Sequence, residues 1–248
     1  MIEWLRDDYR RPAKPAAAPH TIELSGRAVP IALNRHPRAK RLTLRLAPDG
    51  SAVRITLPRW CRSADAVAFA KVRREWLEAQ LAKVPQAADP IARGTIRYRG
   101  EELAIRWAED APRKPALEEH AIRLGGPPET LPHRLNRWLE TEAVRLMRAD
   151  LDHYCTRARL EAPDLRLTRA QRRWGSCSSK GVVRVNWRLV QAPDAIRRSV
   201  VAHETAHLVH FDHSPSFHRL LREIYEDDIT AADGWLRTHG RGLYADFG

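Results

Sequence analysis

The chain has 248 residues, 43% of them hydrophobic, which is enough for a core in one large domain or two small ones. No run approaches the roughly 18 apolar residues of a spanning helix. The start, Met1-Ile2-Glu3-Trp4-Leu5-Arg6-Asp7-Asp8, lacks the apolar stretch of a signal peptide, so the expectation is a soluble cytoplasmic protein that avoids membranes.

Forty-three Lys and Arg against 31 Asp and Glu give a net charge of +12, nearly all of the excess from arginine. Such a balance suits nucleic acid, nucleotides or acidic substrates. The arginines are scattered, however, with no block of five or six, and the charge pattern alone does not specify nucleic-acid binding. Cys61, Cys155 and Cys177 are odd in number and far apart. That spacing argues against a disulfide framework and fits a reducing compartment.

Residues 1–19 hold the proline–alanine stretch from Arg11 to Pro19 and read as a flexible arm. From Thr21 the pattern becomes short alternating runs: 29–33, 41–46 and 52–57, with Pro48-Asp49-Gly50 as a hairpin turn between the last two. The expected structure is an antiparallel sheet with one polar, arginine-bearing face. Ser63 reads as an N-cap for a helix carrying Val67, Ala70, Trp76, Leu77 and Leu81 until Pro85. Strands follow at 95–98 and 103–107, then a charged, proline-interrupted connection over 109–119, then a strand at 121–124. Gly125-Gly126-Pro127-Pro128 closes a β-rich module over 20–127.

The second module, 128–248, is expected to be mainly helical with a small sheet, making the whole α+β. Leu135, Trp138, Leu139, Ala143, Leu146, Met147, Leu151 and Tyr154 form one apolar stripe on a long helix. Short β segments are expected at 165–168 and 182–187. Pro193-Asp194 opens a helix running through His207, Ser214-Pro215 opens another through Leu220, Leu221 and Ile224, and a last helix carries Trp235 and Leu236 to Gly240.

His203-Glu204-Thr205-Ala206-His207 fits H-E-x-x-H. Residues four apart on a helix share a face, so two imidazoles converge on one metal ion. Glu204 lies one position on, close enough to take a proton from a metal-bound water whose pKa the metal lowers towards about 7. Val200, Val201, Leu208 and Val209 are expected to give this helix its buried face. A catalytic zinc needs a third protein ligand and an open position. His210 would stack almost in line with the pair and suits packing or support. His213, in a turn between helices, can swing back to the metal; His218, Glu223 and Glu226 are the alternatives. The spacing to His213 matches that of metzincins, but His210 replaces the turn glycine, and Met1 and Met147 both precede the motif, so no Met-turn follows.

Arg173-Trp174-Gly175-Ser176-Cys177-Ser178-Ser179-Lys180-Gly181, Val185-Asn186-Trp187-Arg188-Leu189, the His203–His207 pentapeptide and His213-Ser214-Pro215-Ser216-Phe217 occur in this order. The set resembles the YgjP-like bacterial zinc metallopeptidases, relatives of the SprT and WLM zinc peptidase domains. The resemblance is strong over about residues 170–218 and weaker over the chain from about residue 20. It implies a compact zincin domain behind a β-rich module, with zinc on His203, His207 and His213 and Glu204 as general base. Two positions depart from the family: Thr205 stands where leucine is usual and His218 where tryptophan is frequent.

By analogy with zincins, Trp174 to Cys177 line the cleft, and Arg173 binds substrate or steadies a developing oxyanion. The competing reading is structural, Gly175 serving a tight turn and Trp174 and Trp187 packing the sheet. Cys177 is not needed as a nucleophile or ligand. The leading expectation is a zinc-dependent peptidase acting on protein or peptide. The alternatives are a metal-dependent nucleotide pyrophosphohydrolase, which no phosphate-binding loop or acidic metal cluster supports, and a DNA-associated SprT-like protease.

Overall fold

The computed structural model describes residues 20–84 and 89–247. The expected arm over 1–19 and the helix stop at Pro85 lie outside them. The chain divides into two compact units, one of Met1–Leu46 with Ser51–Leu81 and one of Ala47–Gly50 with Ala82–Gly248. The fold is α+β, β-rich first and then mainly helical with a further small sheet.

The first unit holds β1 (Thr21–Leu24), β2 (Arg27–Arg35), β3 (Thr43–Leu46), β4 (Val53–Leu57), α1 (Ser63–Val72) and α2 (Arg74–Leu81). The sheet order is β1-β2-β4-β3. Ser25 and Gly26 take positive φ in the two-residue β1–β2 turn, the geometry that matches strand twist. Alternation works as expected: Val53, Ile55 and Leu57 are fully buried while Arg54 between them is exposed. One expectation fails. β2 and β4 pair in parallel, Ile31 opposite Val53 and Arg35 opposite Leu57. The chain crosses from β2 to the far edge before β3 turns back into β4, so the sheet is mixed rather than antiparallel.

The single helix expected behind it is two, broken at Arg73 (φ −97°, ψ 19°). Ser63 is also not the cap. Arg62 holds that position without a side-chain cap bond, and the Ser63 hydroxyl instead accepts from Arg35 Nη2 at 3.1 Å.

In the second unit, α3 (Pro90–Arg93) starts on an Asp89 cap and ends at left-handed Gly94. β5 (Thr95–Tyr98), β6 (Glu101–Trp107), β7 (Ala116–Glu118) and β8 (Ala121–Leu124) form a sheet of order β5-β6-β8-β7. β7 falls in the segment expected to be a connection. After α4 (Leu131–Ala158), a three-stranded sheet of order β10-β11-β9 is made from β9 (Leu165–Thr168), β10 (Gly175–Cys177) and β11 (Val183–Asn186). α5 (Asp194–Ala206), α6 (Pro215–Ile224) and α7 (Ile229–His239) complete the unit. Ile96, Leu103, Ile122 and Leu124 share one core with Leu139, Met147 and Val201, so the sheet of β5 to β8 packs with the helices that follow it.

Two features fix α5. Its inner face, with Val201 and Ala202 wholly buried, packs on α4. Arg197, only 2% exposed, donates from Nε to Asp150 Oδ2 of α4 at 2.7 Å and pairs with Asp194 in the first turn of its own helix. A buried guanidinium held on two carboxylates sets the register of this helix against α4, because losing either partner would strand a charge in the core. No helix of the described residues is long and apolar enough to cross a membrane.

Candidate metal centre

α5 ends at Ala206, and His207 is its C-cap. The motif therefore occupies the last turn of the helix rather than its middle. That early ending leaves Val209 beyond the helix and 45% exposed, so it is not part of the buried face expected of it; Val200 and Val201 are buried. The chain then passes through His210 to Asp212 and re-enters a helix at α6. The Ser214 hydroxyl accepts from Phe217 N–H at 3.4 Å, with Pro215 in the first turn.

This turn carries His213 back to the motif. His203 Nε2 and His213 Nε2 lie 3.2 Å apart, and one nitrogen from each of His203, His207 and His213 falls within 4.8 Å of the others. At such a separation two imidazole nitrogens either share an N–H···N hydrogen bond, one ring donating, or face a common cation with both lone pairs. Zinc–nitrogen bonds of 2.0–2.1 Å in a tetrahedron put neighbouring nitrogens about 3.3 Å apart. The His203–His213 pair matches that spacing, and the His207 nitrogen lies within 4.8 Å of both.

The surroundings of His207 and His203 suit metal binding. His207 Nδ1 is 2.9 Å from the His210 carbonyl oxygen, which can only accept. Nδ1 is therefore the donor, which in the neutral ring leaves the lone pair on Nε2, the arrangement usual for ligating histidines. His203 is pushed down to about 4, by burial first and then by His207, His213 and His218, so its ring is neutral at neutral pH. Phe217, fully buried, forms the floor, its centroid 5.0, 4.5 and 4.9 Å from those of His203, His207 and His213. The sequence gives no signal for this role beyond an apolar position on α6.

The other candidate ligands lie elsewhere. The His218 ring centroid is 6.3 Å from that of His213 and outside the three-nitrogen cluster. His210 contributes its backbone carbonyl. Glu226 pairs with Arg198 and accepts from the Tyr154 hydroxyl at 3.1 Å, and Glu223 offers its backbone oxygen to Arg157.

Glu204 is 5% exposed, and its Oε2 has no hydrogen-bond partner among the described residues. Burial pushes its carboxyl up to about 7, against the opposing pull of Arg173 and the Cys177 N–H. A buried carboxylate oxygen left without a donor has a use for a proton or a polar ligand.

Gly175 explains how the carboxylate fits. A Cβ there would stand 2.4 Å from Glu204 Oε1 and 2.6 Å from its Cγ. The glycine is therefore required by the Glu204 side chain lying across it, and not only by a turn.

β10 places these groups along the cleft. Asn186 N–H donates to the Trp174 oxygen at 2.7 Å and Ser178 N–H to the Val182 oxygen at 3.0 Å. Residues 174, 176 and 178 thus turn their backbone groups towards β11, and Gly175 and Cys177 turn theirs to the opposite edge, which carries no strand among the described residues.

A cleft of about 190 Å³ opens here, lined by Trp174 and Gly175, by His203, Glu204 and Val200 of α5, and by Ile229, Asp233 and Leu236 of α7. The α7 residues recur at i, i+4 and i+7, so they share a face; the sequence shows that face, but not what it points at. Trp174 packs on Tyr244, centroids 5.7 Å apart, and on Gly240, where a Cβ would meet its ring at 2.8 Å. It is thus both a wall of the cleft and a packing residue. Arg173 is exposed, and its charge reaches Glu204. Cys177 is half-buried and its thiol is raised by burial and by Glu204, which keeps it a neutral thiol rather than a ready thiolate.

A family model for the YgjP-like metallopeptidase domain matches residues 40–239, most of the chain. No curated protein and no solved structure matches it.

Proposed function

This chain belongs to the YgjP-like metallopeptidase family, and from that premise we propose that it is a zinc-dependent peptidase with Glu204 as its general base. The observation that carries the reading is the convergence of three imidazoles beside a buried carboxylate with an oxygen that lacks a partner among the described residues. His203, His207 and His213 are the residues that would hold zinc. Bound there, zinc supplies Lewis-acid polarisation of the scissile carbonyl and lowers the pKa of the attacking water towards about 7.

The chain's own residues do the rest. Glu204 takes the proton of the attacking water at a carboxylate oxygen and passes it to the leaving amine. Its burial and its place over Gly175 hold the carboxylate in one position, where it needs no reorganisation to accept the proton. The outer edge of β10 offers the Gly175 backbone groups and the Cys177 carbonyl to an extended peptide, which would add as a further strand, while the Cys177 N–H is turned to Glu204. Trp174, Ile229 and Leu236 form an apolar wall for a substrate side chain, and Arg173 stands at the rim, where it steadies negative charge developing on the carbonyl oxygen.

The test is a comparison of substrate classes. Zinc-loaded protein is expected to cut denatured casein or a peptide library and to leave nucleoside triphosphates intact. Release of pyrophosphate with no peptide cleavage would replace the peptidase reading with a nucleotide hydrolase.

A further inference from the structure

The charge that the sequence scatters is gathered by the fold. Among its described residues the first unit carries twelve Arg and Lys against four Asp and Glu, whereas the second carries 27 against 24. Most of the chain's net +12 therefore sits on the smaller unit, and all twelve of its cationic residues are exposed.

They concentrate at one end of the sheet. β2 and β4 run parallel and finish side by side, Arg35 opposite Leu57, and His36 N–H donates to the Leu57 oxygen at 3.0 Å. The segments leaving these strands, 35–41 and 58–63, hold Arg35, Arg38, Lys40, Arg41, Arg59 and Arg62 and no acidic residue. Between Arg59 and Arg62 stands Trp60, 79% exposed.

That tryptophan is on a loop that is held in place. The Arg35 guanidinium donates to the Arg59 oxygen at 3.1 Å, to the Cys61 oxygen and to the Ser63 hydroxyl at 3.1 Å, and the Cys61 side chain is buried. The backbone on both sides of Trp60 is thus fixed, while its ring is turned out to water. An aromatic face presented among six cations, with the nearest acidic residue in sequence the Asp65 of the following helix, matches one ligand chemistry: a chain of phosphates bearing planar bases. A duplex keeps its bases stacked and gives such a ring nothing to lie against; an unpaired base does.

We propose that this end of the first unit binds single-stranded nucleic acid, its arginines on successive phosphates and Trp60 stacked on a base. The surface shares no residue with the metal centre, and the proposal does not depend on the peptidase reading.

The experiment is fluorescence anisotropy of the full chain with a labelled oligodeoxythymidylate of about 15 nucleotides. With about four phosphates engaged, log K is expected to fall with log salt at a slope near −3, roughly a 50-fold loss between 50 and 200 mM. Trp60→Ala is expected to weaken binding about tenfold or more at unchanged slope, and Trp60→Phe to restore most of it. Arg59→Gln with Arg62→Gln is expected to flatten the slope by about 1.4; the carbonyl contacts of Arg35 survive that change because they are made to backbone. Glu204→Gln is expected to bind as wild type does, which separates this surface from the cleft. Binding that Trp60→Ala leaves intact, equal affinity for a duplex, or binding to anionic phospholipid vesicles without binding to the oligonucleotide would each overturn the proposal.

Discussion

Glu204→Gln is expected to keep its metal and lose on the order of 10³-fold in kcat, the range that a positioned general base contributes. Glutamine has the same shape and leaves His203, His207 and His213 untouched, but it cannot take a proton. The loss should therefore fall on the chemical step with KM little changed, the signature of an interaction made in the transition state alone. Stability gives an independent reading. The wild-type carboxyl is 95% buried with an unpartnered oxygen and is raised by that burial. Removing a charge that the fold opposes should not lower Tm. A large fall in Tm would mean that Glu204 serves the fold, and unchanged kcat would remove it from the reaction.

The second large effect is expected from a residue that touches neither metal nor substrate side chain. Gly175→Ala places a methyl 2.4 Å from Glu204 Oε1, 2.6 Å from its Cγ and 2.8 Å from its Cδ. Something must move, and the free end of a side chain gives way more easily than a paired strand. Glu204 would be displaced by about an ångström, a misplacement that costs on the order of 10²-fold in rate. Metal content should stay at the wild-type level. Kinetics measured beside metal analysis check this, and full activity in the alanine variant would show that the position of Glu204 over Gly175 has no bearing on turnover.

How much of this was legible in the sequence follows from the range of the forces involved. Local periodicity carries the long α4 helix, the alternation of Val53, Ile55 and Leu57, and the two histidines four residues apart. His213 was also legible, because Ser214-Pro215 marks a helix start and leaves it in the preceding turn. β10 was not legible as a strand: Gly-Ser-Cys has no alternation, and its pairing with β11 makes it one. β7 was hidden in a charged, proline-bearing stretch, where only β8 beside it supplies a partner. The parallel pairing of β2 with β4 depends on a crossover that no local pattern records.

At the candidate metal centre, the three histidines stand out by type and spacing. What supports them does not. Phe217 under the rings, the His210 carbonyl on His207 and the α7 wall of the cleft become visible only when distant segments meet. Gly175 shows the difference most clearly. Its sequence context suggests a turn, while its neighbour in space shows that the absent side chain is the room Glu204 occupies.

The central claim is that three histidines of two segments, the end of α5 and the turn before α6, hold one zinc ion. Zinc content after gel filtration, for wild type and His213→Ala, tests it most directly. The expected result is one zinc per wild-type chain and a loss of at least tenfold in zinc affinity for His213→Ala, with its fold retained, since His213 is exposed and carries none of the core. A wild-type chain that binds no zinc, or a variant that holds zinc as tightly as wild type, would contradict the account.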